Sequence, residues 1–278
     1  MTAAGKTAGD ENFPVGSWLI AAPLRPHVRA YYAFARTADD IADAPGLPAE
    51  EKLRRLGALG AALGHGQKED GVEAALALRA CLMERGIPLR HGLDLLDAFC
   101  QDATQSRYED WAELMAYCAR SAAPVGRFLL DLHGEAKTLY PASDALCRAL
   151  QVINHLQDLG EDYRLLGRVY LPADWLAAEA VGPQALAARR LAPGLRRVVD
   201  RCLDAVDELL ARSRPLPPSL AHPGLALEAG AIQHLALDLV RQLRRRDPLA
   251  ERVARGRPML VGLAAVGAMK TAIGRLRR

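Results

Sequence analysis

The chain has 278 residues, and its 36 basic and 33 acidic side chains give a formal net charge of +3. Without a basic stripe interleaved with aromatic residues, this balance argues against a nucleic-acid-binding protein. Half of the residues are apolar and a quarter are charged, which excludes wholesale disorder and indicates a globular protein. Because Val and Ile together number only 20, helix-forming residues dominate, and we predict an all-α fold.

Prolines and glycines divide the chain into predicted helices. The first starts at Pro23–Pro26 and ends near Asp43, and the second begins near Ala49. Further helices are predicted at about 72–85, 90–101, 109–132, 142–163, 184–190, 195–212, 224–246 and 258–276, with a short one after 168–172. Neither a repeat nor a shift in composition divides the chain. We therefore expect one domain over 12–276, preceded by a flexible segment at 1–11.

The cysteines and the apolar segments favour a cytoplasmic protein. The five cysteines are widely spaced and form no CxxC pair, which is typical of reduced thiols. The first dozen residues are small and polar and lack the apolar core of a signal peptide. The longest apolar stretch, 259–269, is about half the length that a membrane span requires.

The predicted first helix carries a polar stripe beside its apolar face. At about 100° per residue, Tyr32, Arg36, Asp39 and Asp43 fall within one narrow wedge of the helix surface. Carboxylates one turn apart can hold a divalent cation, and Mg²⁺ prefers such oxygen ligands together with substrate phosphates. A solvated acidic helix with an Arg–Asp pair is the alternative interpretation.

A second stripe lies in the predicted helix at 142–163. Gln151, Asn154, Asp158 and Asp162 share one face, and the two aspartates are again four residues apart. The amides could orient the carboxylates or bind an oxyanion. A polar seam between two helices would give the same pattern.

Two such aspartate pairs in one helical chain indicate a diphosphate site. A diphosphate can be held against carboxylates only through bridging cations, which also stabilise it as a leaving group. The remainder of such a site should be apolar, so that a carbocation is shielded from water. Tyr117, Ser121, Pro124 and Phe128 share one face of the helix at 109–132 and could form that wall, although Phe128 fits plain core packing equally well.

These residues resemble the squalene/phytoene synthase family, the head-to-head branch of the class I trans-prenyl synthases. The resemblance implies an all-α prenyl-synthase fold with a central cavity and Mg²⁺ bound at Asp39, Asp43, Asp158 and Asp162. It also implies that diphosphate or prenyl contacts come from Tyr32, Arg36, Tyr117, Gln151 and Asn154. Four ordered motifs carry it: Tyr32–Asp43, Tyr117-Cys118 with Val125-Gly126, Gln151–Asp162 and Arg168–Pro172.

Two departures from the family pattern narrow the implied reaction. Members that condense two prenyl diphosphates usually carry Arg where this chain has Gln157, and they have a Ser-Phe-rich segment where it has Glu11–Trp18. Gln cannot supply the charge-assisted, bidentate bonds of a guanidinium. The resemblance then implies a member of the hopanoid pathway that takes presqualene diphosphate, releases diphosphate, rearranges the cation and captures water to give hydroxysqualene. That reaction needs no hydride donor, and we expect no NADPH.

Two other functions are compatible with the sequence. The first is a synthase of the same fold that condenses two prenyl diphosphates, and the second is a catalytically inactive helical scaffold. The presence of all four aspartates together with Arg36 argues against a scaffold, because burying an acidic cluster without a metal costs free energy.

The basic residues around 241–246 and 270–278 allow either a solvated helix face or peripheral contact with the inner face of the cell membrane. Association with other squalene-pathway enzymes is a further expectation.

Overall fold

The protein, described here by a computed structural model, is defined over residues 19–254 and 257–276. Within these ranges the chain forms helices joined by short loops and contains no β-strand, so the all-α prediction is confirmed. An isolated parallel bridge joins Tyr108 to Pro172. The predicted flexible segment 1–11 and the departure at Glu11–Trp18 lie outside the described residues.

Local signals account for the ends of the helices in the first half. Pro26 lies in the first turn of α1, where its missing N–H costs nothing. Gly66 ends α2 in the left-handed conformation at φ +75°. Asp110 caps α5, its side chain accepting from the Glu113 amide at 2.8 Å. The helices are α1 (Arg25–Ala42), α2 (Ala49–His65), α3 (Glu73–Glu84), α4 (Arg90–Thr104), α5 (Trp111–Ser121) and α6 (Ala123–Leu132).

The second half contains both long and short helices. The predicted helix at 184–190 was wrong: a 3₁₀ turn covers Pro183–Ala187, and the backbone becomes extended at Ala188. The helices are α7 (Tyr140–Gln157), α8 (Leu159–Glu161), α9 (Ala173–Ala178), α10 (Pro193–Ser213), α11 (Leu216–Ser219), α12 (Pro223–Arg245) and α13 (Arg257–Leu276).

The helix that the sequence predicts at 109–132, with a kink at Pro124, is two helices. Pro124 has no N–H to donate to the carbonyl four residues earlier, and its ring crowds that carbonyl. The backbone leaves the helical region at Ala122, with φ −127° and ψ −44°, and α6 starts at the next residue. Gly126 packs closely against α7, because a methyl group there would collide with Ser143 and Cys147.

The predicted helix at 142–163 is also interrupted, within the second aspartate motif. Helix α7 ends at Gln157, and Asp158 has φ −97° and ψ 10°. The short α8 follows and continues into a π-helical turn at Asp162–Leu166. The Asp162 amide still donates to the Asp158 carbonyl at 2.8 Å, so the two aspartates remain one turn apart across the break.

Two apolar clusters support the two motif helices separately. One cluster joins α1 to α2, α3 and α4 and contains the fully buried Phe34 and Leu63. The other joins α7 to α5, α10 and α12 and contains Ile153 and Leu203. Helix α6 contributes to both. Because α1 and α7 pack their apolar faces into different clusters, their polar stripes are left to line the space between them.

Candidate active site

A single open cavity collects the residues that the sequence selected. Its volume is about 280 Å³, and its walls come from α1, α4, α5, α6, α7 and the segment from Asp158 to Tyr170. All nine predicted metal and substrate residues line it: Tyr32, Arg36, Asp39, Asp43, Tyr117, Gln151, Asn154, Asp158 and Asp162. The side chains that the helical-face patterns grouped therefore line one cavity in the structure, and their roles stay predictions.

On the α1 wall, Arg36 lies among carboxylates. Its Nη1 donates to Asp39 Oδ2 at 2.9 Å, and its Nη2 donates to Asp40. The Arg36 and Asp39 side chains are 22% and 38% exposed, so both are accessible from the cavity. This is the Arg–Asp pair of the alternative interpretation, but it lies at the cavity wall instead of on a solvated face.

Asp43, at the end of the same stripe, is held by a residue far along the chain. Arg168 Nη1 donates to Asp43 Oδ1 at 2.5 Å, while Nη2 donates to the Ala42 carbonyl at 3.1 Å and Nε to the Asp102 carbonyl at 3.2 Å. Arg168 is only 7% exposed. Burial alone would lower its pKa, but the negative groups around it outweigh that effect and hold the pKa above its ordinary value.

On the opposite wall, the second motif is built around His155. Its Nδ1 lies 3.9 Å from Asp162 Oδ2, and its Nε2 lies 3.2 Å from the Gln151 amide nitrogen. The imidazole stacks on Tyr170, with ring centroids 3.6 Å apart and an interplanar angle of 13°. His155 therefore orients the residues of this wall, a role that the sequence could not distinguish from that of an ordinary buried histidine.

A third group of polar residues lies deeper in the cavity. Asp102, near the end of α4, accepts from the Tyr117 hydroxyl at 2.8 Å and from the Tyr170 hydroxyl at 2.9 Å. Sequence reasoning missed Asp102, since it belongs to no motif. Arg168 and Tyr170 entered the sequence analysis only through the Arg168–Pro172 motif of the family resemblance. Their place in that motif was the signal that could have assigned them to the site.

The predicted apolar wall is only partly correct. Tyr117 and Ser121 line the cavity, but Pro124 is buried, and Phe128 stacks on Tyr31 in the core with ring centroids 4.3 Å apart. The break at Ala122 explains the difference, because it rotates α6 relative to α5. The apolar lining comes from Ala35, Leu95, Phe99, Val125 and Leu166.

The structure changes the interpretation of Gln157. Its side chain is 6% exposed, is not part of the cavity lining, and donates from Nε2 to the Val253 carbonyl. The residue thus ties the end of α7 to the segment before α13. The geometry therefore does not support the expected loss of a diphosphate contact at Gln157.

The carboxylate oxygens of the cavity suit a cation such as Mg²⁺ that is also coordinated by a bound substrate. Among the residues described (19–254 and 257–276), no three His, Cys, Asp or Glu side chains lie close enough together to hold a metal ion by themselves. The carboxylates instead form two pairs on opposite walls. Mg²⁺ is commonly bound by one or two carboxylates of the protein, and phosphate oxygens of the substrate complete its coordination shell. The residues therefore fit Mg²⁺ bound together with a diphosphate.

An all-helical fold that places two aspartate pairs across a partly apolar cavity defines the all-α isoprenoid synthase class. Within that class, the family model for squalene/phytoene synthases matches residues 6–259. The chain belongs to the squalene/phytoene synthase family.

Individual relatives give a finer comparison. The chain is 47% identical to the hydroxysqualene synthase of Rhodopseudomonas palustris, over 98% of this chain and 92% of the relative. It is 44% identical to the hydroxysqualene synthase of Zymomonas mobilis, over 95% and 89% of the two chains. The crystal structure of a squalene synthase from Alicyclobacillus acidocaldarius superposes with a TM-score of 0.71 at 30% identity, covering 83% of this chain and 87% of that one.

Proposed function

We propose that this protein is an enzyme that converts presqualene diphosphate to hydroxysqualene in hopanoid biosynthesis. The carbon–oxygen bond to diphosphate breaks, the cyclopropylcarbinyl cation rearranges, and a water molecule captures the resulting cation. The observation that carries the proposal is the convergence of both aspartate pairs and all five predicted substrate contacts on one partly apolar cavity. High identity to hydroxysqualene synthases over nearly the whole chain supports the same reaction.

Mg²⁺ would be held by Asp39 and Asp43 on one wall and by Asp158 and Asp162 on the other. When bound, it supplies positive charge that offsets the diphosphate and stabilises it as a leaving group. The chain's own contribution is to position those carboxylates. Arg168 orients Asp43, and His155 lies beside Asp162.

The remaining contacts divide between the diphosphate and the hydrocarbon. Arg36 carries guanidinium N–H groups at the cavity wall and would bind diphosphate oxygens, releasing part of its present pairing with Asp39. Gln151 and Asn154 would donate from the opposite wall. Leu95, Phe99 and Val125 would surround the hydrocarbon and exclude water other than the molecule that reacts.

The decisive experiment identifies the product. Purified protein is incubated with presqualene diphosphate and Mg²⁺, with and without NADPH, and the lipid product is identified by mass spectrometry. We expect hydroxysqualene in both reactions and none after chelation of Mg²⁺. Consumption of farnesyl diphosphate to presqualene diphosphate would instead establish the condensing alternative. Absence of turnover on both substrates would favour the scaffold.

We also propose that α13 rests on an anionic membrane surface, which would collect so apolar a substrate. None of the described helices is long and apolar enough to span a membrane. Val266, Met269 and Ile273 project from one side of α13 with 42%, 61% and 44% of their surface exposed. Lys270 lies beside this face, and α13 contains basic residues but no acidic one. Exposed apolar side chains edged by cations favour anionic lipid.

Packing explains why that side of α13 is exposed. A methyl group on Gly267 would meet the Gly230 carbonyl of α12, so the two helices approach through their small residues. Arg275 anchors the end of α13 by donating to the Leu220 and Ala221 carbonyls. The larger apolar side chains are consequently turned away from the protein. Association with other squalene-pathway enzymes remains a prediction without a structural argument.

A further inference from the structure

Asp102 holds two phenol groups at the deep end of the cavity. Its Oδ2 accepts from Tyr117 at 2.8 Å, and its Oδ1 accepts from Tyr170 at 2.9 Å, so each carboxylate oxygen is engaged by one hydroxyl. The three residues come from α4, α5 and the loop before α9, and all of them line the cavity. Each tyrosine hydroxyl uses its hydrogen in the bond to Asp102. The lone pairs of the tyrosine oxygen can therefore accept a hydrogen bond from another molecule.

The surroundings make this carboxylate a better proton acceptor than an exposed one. Burial raises the pKa of Asp102, against the opposing effects of Arg168 and of the two tyrosine hydroxyls. Burial and the neighbouring Asp102 also raise the pKa of Tyr117, which keeps its hydroxyl protonated as a donor. The other charged or titratable groups around Asp102 are His155, Tyr108 and the buried Cys118, and Tyr108 stacks on Tyr170 with ring centroids 5.6 Å apart.

Ser121 supplies a second polar group on the same wall. It follows Tyr117 by one turn of α5, which places the two side chains side by side on the helix. Ser121 lines the cavity, and its buried Oγ has no hydrogen-bond partner among the described residues. A buried hydroxyl of this kind costs free energy unless a bound molecule satisfies it.

We propose that Tyr117 and Ser121 hold the water molecule that captures the cation, and that Asp102 receives the proton which this step releases. This inference rests on the proposed function. A lone pair of the water oxygen forms the new C–O bond, and one O–H bond breaks with its electrons remaining on oxygen. The proton passes to the Tyr117 hydroxyl oxygen as Tyr117 transfers its own proton to Asp102 Oδ2. The hydrogen bond from Tyr170 keeps Asp102 turned toward Tyr117 throughout. Asp102 does not touch the water and acts on it only through Tyr117, which makes it a positioning residue.

The test measures which product forms, because a purely structural role of Asp102 would change only the amount of product. A cation that meets no positioned water loses a proton from carbon and gives a hydrocarbon. In Asp102→Asn the amide cannot take up the proton, and in Ser121→Ala the second contact to water is lost. We expect the ratio of alcohol to hydrocarbon from presqualene diphosphate to fall by about tenfold or more in each variant. Wild-type enzyme in ¹⁸O-labelled water should place the label in the alcohol.

The matched control is Asp97→Asn, which removes an exposed carboxylate from the same helix, outside the cavity. It should keep the wild-type product ratio and rate. A wild-type ratio in either Asp102→Asn or Ser121→Ala would overturn the inference, and if Asp102→Asn gives no product, Ser121→Ala alone decides. These outcomes are read only if the wild-type enzyme forms the alcohol. If it does not, the proposed function itself has failed.

Discussion

Arg168 and Asp43 form an ion pair at 2.5 Å although 125 residues separate them in the chain. The pair links the loop that follows the second aspartate motif to the last turn of the helix that carries the first one. Through the same guanidinium, Arg168 also holds the Ala42 and Asp102 carbonyls. One buried side chain therefore sets the position of the α1 wall relative to the rest of the cavity.

Replacing Arg168 with Lys should weaken both folding and turnover. An ammonium group cannot reproduce the fork that bonds Asp43 and two carbonyls together. We expect the free energy of unfolding to fall by about 2–3 kcal/mol, measured by urea denaturation. Arg54→Lys is the control, since Arg54 is exposed and pairs with Glu51. Equal denaturation midpoints for the two variants would contradict this account of Arg168.

The four aspartates should be individually required for turnover. Asp39→Asn and Asp158→Asn each remove a charged oxygen ligand from one wall, and we expect kcat to fall by about a thousandfold or more. Asp40→Asn provides the matched control, because Asp40 is adjacent to Asp39 but does not line the cavity. The Asp40→Asn variant should stay within about tenfold of the wild-type rate, since it loses an exposed ion pair with Arg36. Similar losses in all three variants would argue against the assigned metal sites.

Metal binding can be tested without turnover. Pyrophosphate and Mg²⁺ together should raise the Tm of the wild-type protein, because a ligand that binds only the folded state stabilises it by about 2.7 kcal/mol at a hundred times its Kd. Either component alone should have little effect, since neither pair of aspartates forms a complete site. Asp39→Asn should lose the shift measured by thermal denaturation. An equal shift in that variant would place the ligand elsewhere.

The pH dependence of stability should report the environment of Asp102. Its pKa is raised in the folded protein, so the ionised form is disfavoured there and stability falls as the pH rises from the ordinary carboxyl range through the folded pKa. Asp102→Asn removes that loss. The stability of the wild-type protein relative to Asp102→Asn should therefore be greater near pH 4 than at neutral pH, measured by urea denaturation at each pH. A constant difference would mean that the pKa is not raised.

Membrane contact should depend on the exposed side of α13. Met269→Glu places a negative charge among the exposed apolar residues, and we expect it to reduce co-sedimentation with vesicles that contain anionic phospholipid. Met83→Glu is a matched control, because Met83 has the same 61% exposure as Met269 but lies on α3. Binding of wild-type protein to vesicles of neutral lipid should be weaker. Equal binding by both variants would exclude α13 as the contact, and self-association through this face would appear as a dimer without vesicles.

Helical periodicity and residue chemistry were sufficient to predict the helical fold and nine of the residues that line the cavity, but not Asp102. The spacing of Tyr32, Arg36, Asp39 and Asp43 determines that they share one face, because the pitch of a regular helix is constant. The residues of the second stripe also line the cavity. Its helix, however, was not continuous, since periodicity does not indicate where a backbone will leave the α-helical conformation.

Contacts between distant segments were decided only by tertiary structure. No local pattern indicates that Arg168 pairs with Asp43, that Asp102 accepts from Tyr117 and Tyr170, or that Gln157 bonds outside the cavity. Each of these contacts depends on how whole helices pack, and packing is determined by the combined burial of many apolar side chains. By itself the sequence determined the helices and the chemistry that they carry. The tertiary structure decided how the two apolar clusters position the polar side chains of α1 and α7 around one cavity.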